Sequence, residues 1–340
     1  MTALERAVLT RIQGDFPLVS RPYDVLADAL KASDDEIRKA IDACRDTEVI
    51  RRIGGSFSAA HLGYVSALIA ARVEPLKIAA VARHAAQFEE VTHDYERDDT
   101  FNLWFTVVAE TTDLMTDITD SVRAQSGVHS LHVLPALQTF KLRVRFDMMS
   151  AEGEAIGPAR DTVDTSGTTA SPDSPASCNA SVLDDTDRRL IARCCDDISA
   201  SRTPFADLAR DVGIDESAAL ARLRRYRGVG IMRRFGAMVR HQRAGFTANA
   251  MGVWSVPPPD ATRVGAVLAG SRAVSHCYER PRFADWPYNL YSMIHGHSVA
   301  DCRAVHDDLM VRAGITESRL LFTDREFKKS SVRYFAEHRP

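Results

Sequence analysis

The chain has little that would mark a secreted, membrane-bound or generally basic protein. No apolar run approaches the roughly 20 residues that a membrane-spanning helix needs. The opening MTALERAVLTRIQGD mixes charge into the stretch where a signal peptide would carry an unbroken apolar core. A cytoplasmic protein is therefore expected. Only six cysteines occur, at 44, 178, 194, 195, 277 and 302. None forms a C-x-x-C pair, so neither a zinc knuckle nor a disulfide framework fits, and reduced, partly buried thiols are expected. Neither sign of charge prevails: 43 Lys and Arg stand against 46 Asp and Glu, net −3, which excludes the global basic footprint of a non-specific nucleic-acid binder. A Walker motif and a nucleophile elbow are both missing, and Gly54-Gly55 has no phosphate-loop context.

What is present is a duplication. RPYDVLADAL at 21–30 aligns with RTPFADLARD at 202–211 when Pro22 falls on Pro204. Arg51, Arg52 and Gly54 fall on Arg233, Arg234 and Gly236 at an offset of 182. His93 and Tyr95 fall on His276 and Tyr278 at 183. Asn102-Leu103 and Phe140-Lys141 fall on Asn289-Leu290 and Phe327-Lys328 at 187, after four residues inserted in the second copy. Between the copies, residues 150–181 are Ser, Thr, Ala, Gly, Pro and Asp with scarcely a large apolar side chain, a composition expected of a flexible linker. A fused duplication implies that the copies pair as a pseudo-dimer within one chain, or exchange between chains to give a homodimer.

Each copy divides again. Residues 1–60 and 182–242 carry helical spacing, with Gly213 as a stop and 231–240 as a small hairpin, the layout of a winged helix-turn-helix. Residues 61–149 and 243–340 follow the order βαββαβ of a ferredoxin-like domain. In the first copy the strands are predicted at 64–73, 90–95, 102–110 and, as one long last strand, 131–144; the helices are 76–88 and 112–127. The fold class is therefore α+β, a duplicated winged helix-turn-helix plus ferredoxin-like unit. That architecture resembles the Lrp/AsnC regulators. A DNA-binding regulator would need a basic recognition helix. The first copy offers the acid-rich DDEIRKAIDACRDTE, while the second carries Arg222, Arg224, Arg225 and Arg227, read either as a DNA face or as a solvated or subunit-contact face. With only one basic half, DNA binding is not expected.

The candidate site lies in VTHDYERDDTFNLWF (91–105) and VSHCYERPRFADWPYNLYSMIHG (274–296). By alternation, Leu103, Phe105 and Val107 share one face and Asn102, Trp104, Thr106 and Val108 the other. In the second copy Asn289, Tyr291, Met293 and His295 take the polar face, and Val274, His276 and Tyr278 share a face of the neighbouring strand. Aromatics stack on planar ligands, arginines fork onto carboxylates, and histidines titrate near neutrality. A planar, many-carboxylate, iron-bearing tetrapyrrole uses all three. The paired motifs resemble those of the siroheme decarboxylase family, fused here into one chain.

The resemblance implies that siroheme loses the carboxyl groups of its C12 and C18 acetates to give 12,18-didecarboxysiroheme, for haem d1 or an alternative haem b route. It implies no cofactor beyond the iron that the substrate itself brings, and no metal held by the protein. His276 matches the family histidine expected as proton donor or iron-side contact, with His295 beside it; His93 is either catalytic or a relic. Arg97, Arg280 and Arg282 are expected on carboxylates or as surface charge, with Arg143 and Arg145 weaker. Tyr95, Tyr278, Trp286, Tyr288, Asn289, Trp104 and Tyr291 are expected along the substrate or in a core. An imidazolium would protonate the carbon left after CO2 departs. Val108 in place of His295 favours one main site, built by the second copy and completed by the first. The alternatives are a haem- or amino-acid-responsive regulator and a scaffold that binds without turnover.

Overall fold

The computed structural model describes residues 1–142, 183–240 and 248–338. The expected linker, the edges of the expected domains at 149, 182 and 242, and Arg143 and Arg145 lie outside the described residues. The first copy runs α1 (Ala3–Gly14), α2 (Pro22–Leu30), α3 (Asp34–Asp46), β1 (Ile50–Phe57), β2 (Val65–Val73), α4 (Ile78–Ala85), β3 (Val91–Arg97), β4 (Leu103–Ala109), α5 (Thr112–Arg123), β5 (Val128–Pro135) and β6 (Gln138–Leu142). The second runs α6 (Asp185–Cys194), α7 (Pro204–Val212), α8 (Glu216–Gly228), β7 (Met232–Val239), β8 (Ala248–Trp254), α9 (Ala261–Gly270), β9 (Val274–Glu279), β10 (Leu290–Gly296), α10 (Val299–Ala313) and β11 (Ser318–Lys329). Local chemistry sets these limits. Thr2 with Glu5, Ser33 with Glu36, Asp184 with Asp187 and Ser298 with Asp301 form capping boxes that satisfy orphan N–H groups. Pro22 and Pro204 open α2 and α7, and Gly213 at φ 77° closes α7.

The expected hairpin at 231–240 is instead the single strand β7, which pairs antiparallel with β1 of the other copy; Gly54 and Gly236 face each other in register. Gly54 and Gly55 thus sit inside a strand. A Cβ on Gly54 would lie 2.6 Å from the carbonyl oxygens of Cys194 and Asp196, so glycine lets the end of α6 approach the ribbon.

The long last strand expected at 131–144 breaks after Pro135. β5 pairs with its own β2, whereas β6 crosses to pair with β9 of the second copy. β11 does the same without a break: Ser318–Phe322 pair with β8 and Thr323–Lys329 with β3. The resulting nine-stranded sheet runs β5-β2-β4-β3-β11-β8-β10-β9-β6. Its ends meet, because only Ala136 and Leu137 separate β5 from β6, and Leu137 N–H bonds Glu279 O at 2.8 Å. The halves of this sheet contributed by the two copies therefore roll into one structure with an inner face common to both.

Four cores follow. α4 and α5 cover the outer face of the first sheet around Phe105, and α9 and α10 that of the second around Leu290. The winged-helix portions of both copies share a third core, which also takes Tyr334 and Phe335 from beyond β11. The fourth, inside the rolled sheet, combines Phe101, Trp104 and Leu134 with Met251, Trp286, Tyr288 and Tyr291.

The arginines of α8 are engaged within the protein. Arg222 and Arg225 bond the buried Asp187 carboxylate, Arg224 donates to Leu18 O at 2.7 Å, and Arg227 pairs with Asp15 at 2.8 Å. Charge committed to these partners is not aimed at a phosphate backbone. Among the described residues no helix is long and apolar enough to cross a membrane.

Candidate active site

β3 and β9 carry the same device. Val91 pairs with Val107 and His93 with Thr106, so Thr92 is an extra residue; Val274 pairs with Ile294 and His276 with Met293, so Ser275 is its counterpart. Each is a β-bulge, which re-aims the side chains around it. The alternation expected for β9 is corrected accordingly. Val274 joins the helix-covered core with Cys277, while His276 turns inward.

The bulges bring hydroxyls to the imidazoles. Ser275 Oγ lies 2.8 Å from His276 Nδ1 and 2.7 Å from His295 Nε2, and Thr92 Oγ1 lies 3.0 Å from His93 Nδ1. Tyr95 and Tyr278 lie next along each strand, 6.2 Å from His93 and His276 between ring centres. Beyond them Arg97 and Arg280 lie over Tyr95 at 5.6 Å and Tyr278 at 4.9 Å. Each arginine reaches into the other copy: Arg97 donates to Leu321 O at 2.9 Å and Arg280 to Leu134 O. Neither is paired with a carboxylate among the described residues.

Electrostatics set the resting state. Burial, then the charges of His295, His93, Arg233 and Lys141, pushes His276 down to about 3. Burial, then Lys329 and Arg51, lowers His93 to about 4, and burial with Lys329 lowers His295 to about 4. As whole residues, His93, His276 and His295 are half-buried rather than fully buried. The imidazolium expected from the sequence is thus not the resting form: at neutral pH these rings are neutral bases under a positive field. Burial also lowers Arg97, to about 10, and raises the Tyr95 phenol. Glu326, opposite Tyr95 on β11, is the acidic group whose charge reaches both Arg51 and Tyr95.

The other expected residues lie elsewhere. Trp104, Trp286, Tyr288 and Tyr291 are 1–3% exposed in the inner core, with Trp286 Nε1 donating to the Tyr291 hydroxyl at 2.8 Å. Asn289 accepts from Val256 N–H and from Arg282, each at 2.9 Å, and so ties the end of β8 to the inserted loop. Asn102 holds Val73 in the same way at 2.9 Å. Val108, where the second copy has His295, packs into the winged-helix core. Arg51, Arg233, Lys329, Ser275 and Thr92 did not stand out as site residues. Their signal was present: Arg51 and Arg233 are repeat-equivalent, and the repeat-equivalent His93 and His276 each follow a hydroxyl residue.

A winged helix and a ferredoxin-like sheet, each present twice and joined by exchanged strands, define an Lrp/AsnC-like protein in fused form. The AsnC-like ligand binding domain matches residues 61–141 and 243–328, and the siroheme decarboxylase NirDL-like HTH domain matches 5–51 and 187–233. A siroheme decarboxylase of Hydrogenobacter thermophilus is 32% identical over 97% of this chain and 94% of its own. The siroheme decarboxylase NirDL subunit of Paracoccus denitrificans is 29% identical over 97% and 96%. A crystal structure of the siroheme decarboxylase NirDL in complex with an iron-uroporphyrin III analogue superposes with a TM-score of 0.70 at 28% identity, covering 98% of this chain and 95% of that one. The chain belongs to the siroheme decarboxylase family.

Proposed function

We propose that this chain decarboxylates siroheme, removing the carboxyl groups of the C12 and C18 acetates to give 12,18-didecarboxysiroheme, the step that serves haem d1 or an alternative haem b synthesis. The observation that carries the reading is the gathering of His276 and His295 from one copy and His93 from the other on a single inner face, in the field of Arg51, Arg233 and Lys329. A cationic, partly desolvated face attracts a polycarboxylate. The same carboxylates, once bound, offset the repulsion that keeps the imidazoles neutral and so favour proton uptake.

In this reading Arg51, Arg233 and Lys329 hold the carboxylates that stay, and Arg97 and Arg280 supply buried positive charge behind Tyr95 and Tyr278. The C–CO2 bond breaks, its electron pair remains on the side-chain carbon and spreads into the macrocycle, and His276 returns a proton to that carbon. Each acetate thereby becomes a methyl group at the expense of one proton, with no oxidant or reductant. Val108 denies the first copy a counterpart of His295, so one main site is proposed, centred on β9 and β10 and completed by His93. The regulator reading finds less support, since the α8 arginines are already paired.

Anaerobic incubation of the purified chain with siroheme, followed by mass spectrometry, tests the proposal. Loss of two CO2 is expected. Siroheme bound but recovered at unchanged mass would reduce the chain to a binding protein.

A further inference from the structure

We propose that the Ser275 hydroxyl is a proton relay joining His295 to His276, so that the proton given to substrate at His276 is replaced from His295; this rests on the decarboxylase reading above. The first support is geometric. One oxygen stands 2.8 Å from Nδ1 of one ring and 2.7 Å from Nε2 of the other. A hydroxyl has a single proton to donate, so it donates to one ring and accepts from the other, and the tautomers of the two rings are tied together.

The second support is the way the hydroxyl is placed. Ser275 is the extra residue of the β9 bulge and is only 7% exposed, so its oxygen is set between the rings by the backbone rather than by a free rotor. The third is the contrast between copies. The first has the same bulge and the same first link, Thr92 to His93 at 3.0 Å, but Val108 stands where the second ring would be. Its chain of donors ends after one imidazole, so the relay is confined to the second copy.

The protons balance. With the substrate's carboxylates bound and one proton taken up, His295 carries protons on both nitrogens, Ser275 donates to His276 Nδ1, and His276 holds its proton on Nε2. When the carbon takes the Nε2 proton, the Ser275 proton moves to His276 Nδ1 and the His295 Nε2 proton moves to Ser275. Both rings finish neutral, each protonated on Nδ1, and the hydroxyl is restored. One proton from water, taken up at His276 Nε2 after product leaves, passes its equivalent back along the same chain to His295. Ser275 is thus a positioning residue: it acts through His276 and has no contact of its own with the reacting carbon.

The test uses the full chain with Ser275→Ala, Ser275→Thr, His295→Phe and the Ser275→Ala/His295→Phe pair, in anaerobic single turnovers with siroheme. Ser275→Ala is expected to slow CO2 loss roughly 10- to 100-fold, with siroheme affinity, read from the absorbance titration, changed less than about twofold. Ser275→Thr should recover most of the rate, because Thr92 makes the same bond in the first copy. The double variant should be no slower than the slower single one, since both break one chain. A near-normal rate for Ser275→Ala, a loss confined to affinity, or multiplicative losses would overturn the relay.

Nitrogen-15 spectra of labelled histidine give a readout apart from turnover. The His276 and His295 rings should titrate as a coupled pair in the parent chain and separately in Ser275→Ala. Uncoupled rings in a chain that releases CO2 overturn the relay alone. Coupled rings in a chain that releases none overturn the decarboxylase reading.

Discussion

Asp94 is fully buried on β3, and neither of its carboxylate oxygens makes a hydrogen bond. Lys328 stands opposite in register, but its Nζ is taken by the carbonyls of Ala86 and Phe88 at 2.9 and 2.7 Å. Burial raises the acid to about 7 against the opposing pull of Lys328. A carboxyl whose folded value exceeds its unfolded one stabilises the fold fully below the unfolded value of about 4, and that contribution fades as pH rises through about 7. Asp94→Asn is therefore expected to raise stability by about 1–3 kcal/mol at pH 8, with the gain disappearing near pH 4, in urea melts at the two pH values. An equal gain at both would contradict the assignment. At the equivalent place the second copy has the buried thiol of Cys277, so the fold already accepts a neutral group there. His93 and His276 were legible at this scale because they recur with their neighbours. The resting charge was not, because it depends on burial and on Lys329, Arg51 and Arg233, which arrive from other strands.

At the scale of elements the periodicity located the helices and most strands of both copies. It could not say which strand pairs with which: β6 and β11 have the alternation of any ferredoxin-like last strand, yet each crosses to the other copy. Nor did it show the bulges, since an extra residue appears only when two strands are set side by side. The β1–β7 ribbon is a further case, where a single strand paired with its counterpart in the other copy replaces the hairpin expected at 231–240. Its close contacts make a sharp test. Gly54→Ala would press a methyl group onto the backbone oxygens of Cys194 and Asp196. It is expected to cost about 1–3 kcal/mol in urea denaturation, whereas Gly228→Ala, with nothing within 4 Å of the added carbon, should cost nothing. Equal effects would show that the ribbon is not packed as described.

For the whole molecule, the duplication was readable from the chain, and the family resemblance carried the function. What the letters alone did not reveal is how completely the copies are built into each other. The inner core takes Trp104 from one and Trp286 and Tyr291 from the other, and Arg97 and Arg280 each cap a carbonyl across the divide. Residues 1–149 and 182–340 produced as two chains should therefore co-purify as a one-to-one complex, checked by size exclusion with light scattering; halves that elute apart as folded monomers would contradict the exchanged sheet. The same interlocking gathers the imidazoles, and their use is the central claim. It is tested most directly by single turnover of siroheme on His276→Gln, read anaerobically by mass spectrometry. The account predicts that siroheme binds, as its absorbance reports, and keeps all its carboxyl groups; loss of two CO2 within about threefold of the parent rate would contradict it.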